Sequence, residues 1–176
     1  IARISGLTTL ETLRRLMAAG LDSLPGAGAE ILDPDVRRAI SPAKPSVASW
    51  LAVMHEAHTL GLATSATMMY GHIEQPRQRV DHLLAIRDLQ ARCPKGKPGF
   101  LAFIPWIFRS TGTRLEAEGT STDFSPLEYI RIIAASRLIL NNIPNIQASW
   151  LTVGRQTAQA ALHSGANDMG SIMIGR

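Results

Sequence analysis

The sequence predicts an α/β chain built on a parallel sheet, either open or closed into a barrel. Three observations carry this. Helical and strand-like segments alternate along the 176 residues. The strand candidate at 100–108 is apolar on both faces, as suits a parallel strand covered by helices. Polar or glycine-rich tetrads follow the carboxyl ends of the first three strand candidates, the end that carries the active site in barrels. Strand–helix–strand crossovers are right-handed almost without exception, which limits the topologies.

The elements follow in order. Thr8 or Thr9 caps a helix whose Leu10, Leu13, Leu16 and Met17 recur at helical spacing, and Gly20 stands where a glycine ends a helix. Residues 21–24 read as a short strand, broken by Pro25-Gly26-Ala27-Gly28. Asp33-Pro34 opens a short helix to Ile40, and a proline-bounded loop runs over 41–45. Ser46 opens a helix with Trp50, Val53, Met54, Ala57 and Leu60 on one stripe, closed by Gly61. A second strand spans 62–70 and ends at Gly71. Pro76 lies in the first turn of a helix that stops near Cys93-Pro94. After the third strand, the polar loop 110–123 is long enough to suggest function or insertion. Ser125-Pro126-Leu127-Glu128 is a helix start, with Ser as cap, Pro first and Glu third, and Asn141-Asn142 ends that helix. A fourth strand is expected at 146–151, a helix at 156–164 and a fifth strand at 171–174.

Composition narrows the function classes. With 45% apolar and 18% charged residues, the chain can bury a core and is not intrinsically disordered. No apolar run approaches the roughly 18–20 residues that cross a bilayer. The first ten residues lack the pattern of a secretory signal, and they lack Met, so the chain is expected to open mid-protein or after processing. The single cysteine, Cys93, excludes an internal disulfide framework and any zinc or iron–sulfur site built only from cysteines of this chain. The net charge is +4, but Arg outnumbers Lys 15 to 3 and the basic residues scatter from Arg3 to Arg176. Aromatics are 5%, so no basic and aromatic stacking platform forms. His55 and His58 share a helix face without a third ligand nearby, which favours a structural pair over zinc. The expectation is a cytoplasmic enzyme domain with a basic surface, no metal ligands of its own and neither nucleic acid nor membrane as partner.

Four stretches carry candidate chemistry. Residues 24–30 place Gly26 and Gly28 where a backbone can approach a ligand and Glu30 at the rim, or else form a tight turn with an exposed acid. Residues 64–74 alternate hydroxyls with Met along a strand and end in Gly71-His72-Ile73-Glu74; the methionines suit either a flat ring or a core. In 147–150, Gln147 and Ser149 are expected on one side and Trp150 on the other, and buried polar groups of this kind need partners. Asn167-Asp168 precedes the last strand or makes a helix-end turn.

At these same stretches the chain resembles a known family. GLDSLPGAGAEIL, ATMMYGHIE, GFLAFIPWIF, NIQASW and GANDMGSIMI occur in the order and spacing of the cyclic dehypoxanthinyl futalosine synthases, radical S-adenosylmethionine (SAM) enzymes of the futalosine route to menaquinone. The resemblance covers essentially the whole chain. It implies a partial (β/α) TIM-type barrel, about the last five strands with their helices, with 1–176 forming the carboxyl-terminal part of a single barrel domain. Residues 103–106 and 147–150 favour the cyclase over aminofutalosine synthase and the deazaflavin (FO) synthase subunit, which resemble it in the other motifs. A non-catalytic split half-barrel that binds a ligand or partner is the reading from a different class.

The resemblance also implies cofactors and roles. The family's Cys-x3-Cys-x2-Cys run, which holds a [4Fe–4S] cluster, lies upstream of residue 1, so the cluster ligands fall outside this chain and the chain reads as truncated at both ends. The reduced cluster cleaves SAM, hydrogen is taken from the ribose part of dehypoxanthine futalosine, and ring closure follows with loss of an electron and a proton. A flavodoxin- or ferredoxin-type protein is the implied electron donor. Gly71 and Glu74, with Thr67 and Met69, are the implied SAM contacts. Glu30 is a candidate for ribose hydroxyls, Gln147, Ser149 and Asn167 are substrate-side candidates, and Glu30, His72 or Asp168 is the candidate proton acceptor. Alone, residues 1–176 are expected to be inactive and poorly stable, because a partial barrel leaves open strand edges and an uncovered inner face. A thermal scan checks this: a broad transition or self-association is expected, and a sharp reversible transition of a monodisperse monomer contradicts it.

Overall fold

The structure, a computed structural model, describes residues 1–120 and 125–170. In order these form α1 (Ala2–Ser5), α2 (Thr9–Ala18), β1 (Ser23–Leu24), α3 (Pro34–Ile40), α4 (Val47–Leu60), β2 (Ala63–Tyr70) and α5 (Pro76–Ala91). Then come β3 (Phe100–Ile107), α6 (Arg114–Ala117), α7 (Pro126–Ile139), β4 (Asn145–Ile146), α8 (Trp150–Val153) and α9 (Arg155–Leu162). The sheet order is β1-β2-β3-β4 and every neighbouring pair is parallel. Sequential parallel strands joined through helices form a segment of a (β/α) barrel, and the described strands leave it open.

The helix starts follow from local chemistry. Thr8 makes a reciprocal capping box with Glu11. Asp33, Ser46 and Ser125 accept hydrogen bonds from amides of the turns they open, and Pro34, Pro76 and Pro126 sit first in their helices. Gly61 ends α4 in the left-handed conformation.

Alternation along the strands sorts two faces. Ala66, Met68 and Tyr70 of β2, Phe103 and Ile107 of β3, and Ile146 with Ala148 are buried against Trp50, Met54, Leu83, Ile86, Tyr129, Ile133 and Ala158 from the helices. Each large side chain so buried contributes roughly 1.5–3 kcal/mol. The other face carries Ser65, Thr67, Ala102, Ile104 and Trp106, all half-buried.

The structure corrects several boundaries. The first strand is two residues, Ser23–Leu24, rather than 21–24. The fourth ends at Ile146 rather than 151, and Trp150 begins a helical turn instead of lying on a strand. The cause is nonlocal: the Ser149 amide donates to the Tyr129 hydroxyl at 2.7 Å and the Trp150 amide to the Ala148 carbonyl at 2.8 Å, which turns the chain off the ladder. The expected strand at 171–174 lies outside the described residues; just before it, Gln147 and Asp168 form a parallel bridge. The loop 110–123 contains the short helix α6, and its residues 121–123 also lie outside the described part.

Gly26 has a different purpose from the one its motif suggested. A Cβ at Gly26 would stand 1.6 Å from the Ser65 carbonyl oxygen, so the residue lets two backbones touch rather than admitting a ligand. Gly28 has nothing within 4 Å of such a Cβ, and only its φ of +81° constrains it. Gly26→Ala is therefore expected to destabilise the complete protein by about 3 kcal/mol or more and Gly28→Ala by about 1–2. Denaturant midpoints that place the two variants together contradict this.

Candidate functional site

The open face is a ladder of rows. Thr67 pairs with Ile104, and Met69 with Trp106 one row nearer the carboxyl ends. Ile146 pairs with Phe103, which sets Gln147 beside Ile104, and Gln147 bridges to Asp168. Thr67, Ile104, Gln147 and Asp168 thus cross the sheet in one row. Asn145 and Gln147 are half-buried on this face, while Ile146 and Ala148 are fully buried on the other. The Gln147 amide lies over Gly170, where a Cβ would meet its Nε2 at 2.5 Å. Asp168 accepts the Gly170 amide at 2.7 Å.

Two other substrate-side candidates sit elsewhere. Asn167 accepts from the Ile146 amide and Arg137, each at 2.9 Å, and donates to Pro144 and Asn145, at the amino end of β4. Ser149 is buried, and its hydroxyl donates to the Pro105 carbonyl at 2.9 Å. Alternation holds as far as Ala148 and stops at Ser149.

Glu30 is the most unusual residue at the rim. Among the described residues it is the one non-glycine with positive φ, at 48°. That conformation costs roughly 1–2 kcal/mol for an L-residue, and such strain concentrates where structure serves function. Its carbonyl accepts the Met69 amide at 3.0 Å, which fixes it beside the carboxyl end of β2. The residue is 4% exposed; Oε1 binds the Lys44 ammonium, and Oε2 has no hydrogen-bond partner. The buried Arg37 guanidinium clamps the surrounding loops through the carbonyls of Gly28, Ala29 and Pro45 at 2.9, 2.5 and 2.6 Å. Burial lowers the Arg37 pKa, and the charge of Glu30 opposes that shift. A buried carboxylate oxygen without a donor fits a ligand that brings a hydroxyl, such as a ribose.

Glu74 is the opposite case. Its Oε1 accepts the Gly71 amide and Arg79 Nε, each at 2.7 Å, and its Oε2 accepts the His72 amide and faces His72 Nδ1, each at 2.9 Å. Burial alone would raise its pKa, but hydrogen bonds from His72 and Gly71 outweigh burial and hold the carboxyl at about 2. His72 is equally enclosed: Nε2 lies 3.1 Å from the Met69 carbonyl, Nδ1 2.8 Å from the Ile73 amide, and the ring meets the Phe108 edge. Both side chains organise the turn after β2.

The loop after β3 covers this end of the sheet. Leu115 of α6 packs on Met69 and Phe108, with Ile40 and Trp106 at the margin, and Arg114 donates to the Ala39 carbonyl. Met69 is therefore sealed in a small apolar cluster. Two further histidines are structural: buried His58 bonds Thr64 at 2.7 Å and His82 accepts the Leu32 amide at 3.0 Å. Desolvation lowers their pKa values to about 4 and about 3. Among the described residues no group of three or more His, Cys, Asp or Glu could hold a metal. Cys93 points at the Pro94 and Lys97 carbonyls, so an iron–sulfur cluster finds no ligand set here. A concavity lined by Ser23, Leu24, Ala63, Ser65 and Ala102 lies at the amino end of the sheet, away from Glu30. No helix is long and apolar enough to cross a membrane among the described residues.

Sequence spacing gave no sign of Lys44, Arg37, Arg79 or Leu115. Each reaches its partner from another loop or helix, as Lys44 does to Glu30 across fourteen positions.

A parallel β/α sheet with polar side chains in one row of its open face and a strained acid at the carboxyl end is a segment of a (β/α) barrel. Residues 97–176 match the family model described as the CofH/MqnC C-terminal region, and the resemblance read from the sequence holds. The chain is 45% identical over 174 residues to the cyclic dehypoxanthine futalosine synthase of Streptomyces coelicolor, covering 99% of this chain and 42% of that protein. It is 41% identical over 178 residues to 5-amino-6-(D-ribitylamino)uracil–L-tyrosine 4-hydroxyphenyl transferase 1 of Methanosarcina mazei, covering 98% and 46%. The corresponding transferase of Methanocaldococcus jannaschii is 40% identical over 175 residues, covering 98% and 48%. The chain spans less than half the length of these relatives.

Glu74 makes acid stability a test of the site. A carboxyl whose pKa falls on folding stabilises the fold fully above its ordinary value of 4.5, and the contribution is lost as pH falls through about 2. Glu74→Gln is expected to lower stability at pH 7 by about 3 kcal/mol, with the gap to wild type closing below pH 4.5. A gap that does not change between pH 7 and pH 3 contradicts the assignment.

Proposed function

We propose that the chain is the carboxyl-terminal, substrate-facing part of a radical SAM enzyme, and that the complete protein cyclises dehypoxanthine futalosine. The 45% identity to the Streptomyces coelicolor synthase supports the reaction. The observation that carries the site is Glu30, strained, buried and with one oxygen unpartnered. When bound together, SAM and a [4Fe–4S] cluster supply hydrogen-atom abstraction; the cluster ligands come from outside this chain, and a flavodoxin- or ferredoxin-type protein delivers the electron.

This chain's residues do the holding and the proton transfer. Glu30 Oε2 accepts a ribose hydroxyl, with Lys44 balancing its charge. Thr67 and Gln147, one row apart from the Trp106 ring, orient the polar part of the substrate. Glu30 is favoured over His72 as the proton acceptor, because both His72 nitrogens are engaged, and Asp168, whose Oδ1 accepts the Gly170 amide, is the other candidate. The strap formed by α6 helps exclude water, which a radical reaction requires.

The 4-hydroxyphenyl transferases, at 40–41% identity, support a second reading, the deazaflavin (FO) synthase subunit. One assay separates the two. The reduced complete protein with SAM is given either dehypoxanthine futalosine or tyrosine with 5-amino-6-(D-ribitylamino)uracil, and products are identified by mass. Cyclisation of the first substrate is expected; turnover of the second pair alone overturns the proposal. In the active enzyme, Gln147→Leu is expected to weaken substrate binding or turnover by ~1–3 kcal/mol while cluster content and SAM binding stay near wild type. Unchanged kinetics in that variant remove Gln147 from the site.

A further inference from the structure

Arg79 joins three elements at the carboxyl end of β2. Its Nε donates to Glu74 at 2.7 Å, its terminal nitrogen to Glu128 in the first turn of α7 at 2.5 Å, and its guanidinium carbon lies 5.1 Å from the Tyr70 ring centre. The side chain is 15% exposed, and Glu74 is fully enclosed. Glu74 in turn holds the amides of Gly71 and His72. Without Arg79, the enclosed Glu74 carboxylate loses its guanidinium partner, and removing one partner of a buried pair leaves the other charge uncompensated. The planar guanidinium reaches two carboxylates in fixed directions, which an ammonium cannot reproduce.

We propose that Arg79 is a positioning residue that sets the backbone of the Gly71–Glu74 turn through Glu74 and anchors it to α7 through Glu128, so that the turn is preformed for the adenosyl ligand. The inference rests on the functional reading above for the ligand alone. Glu74 then acts as the organiser of the turn, since the amides of Gly71 and His72 and the Arg79 guanidinium already bind both its oxygens. Glu128 couples the turn after β2 to the next β/α unit, so neighbouring units move together.

The test uses the complete protein. Amide hydrogen exchange at Gly71 and His72 is measured beside SAM binding by calorimetry in wild type, Arg79→Leu, Arg79→Lys and Glu128→Gln. Exchange at both amides is expected to rise at least tenfold in Arg79→Leu, with partial recovery in Arg79→Lys and a smaller rise in Glu128→Gln. SAM affinity is expected to fall in the same order, about tenfold in Arg79→Leu. Unchanged exchange at Gly71 and His72 overturns the proposal even if melting temperatures fall, since general loss of stability does not single out this turn. Faster exchange with unchanged SAM affinity overturns its preforming role. A wild-type protein that binds no SAM overturns the functional reading instead, and the exchange data still decide what Arg79 does.

Discussion

The parallel ladder between β2 and β3 is the constraint on which the rest depends. It is the longest pairing among the described residues, running from Thr64 beside Phe100 to Tyr70 beside Ile107. Side chains alternate across a strand, so a slip of one residue exchanges the two faces. Such a slip would place Met68 and Tyr70 on the open face and push Thr67 and Met69 against the helices. The register is set by a bulge: Thr64 pairs with Phe100, Ser65 pairs with Ala102, and Leu101 is left out and exposed. Below the bulge the strands only need to pair. Above it, their phase aligns Thr67, Ile104 and Gln147 in one row.

Two acids at the same end of the sheet show how environment assigns work. Glu74 has both oxygens bound by two amides and an arginine, and it shapes a turn. Glu30 has one ammonium partner, an unpartnered oxygen and a backbone conformation that L-residues avoid. The first arrangement is complete without a ligand. The second becomes complete when a donor arrives. Both are fixed by arginines, Arg37 gripping the carbonyls around Glu30 and Arg79 gripping Glu74 itself.

Much of the fold was legible because it is local. Ser46, Ser125 and the helix-opening prolines mark starts within one turn of the chain, and Gly61 marks a stop. The alternating hydroxyls and methionines within 62–70 and the run at 100–108, apolar on both faces, found the two long strands to within one residue. The fourth strand was overextended because what ends it is Tyr129, twenty residues earlier in sequence. In the site, the motif residues Thr67, Gln147 and Asp168 do meet in one row, since strand periodicity dictates that. What periodicity cannot tell is how a side chain is satisfied: that Asn167 is tied to Arg137, that Leu115 seals Met69, or that Lys44 returns to Glu30.

The proposed function requires a ligand on the open face at the carboxyl end of the sheet, between Glu30 and Gln147. Hydrogen–deuterium exchange of the complete protein, with and without SAM and substrate together, tests it most directly. Added protection is expected in the peptides that carry Glu30, Thr67 to His72, and Gln147, with little change in α4, α5 and α7. Protection confined to the amino end of the sheet around Ser23, Ala63 and Ala102, or to the outer helices, would place the ligand elsewhere and contradict the claim.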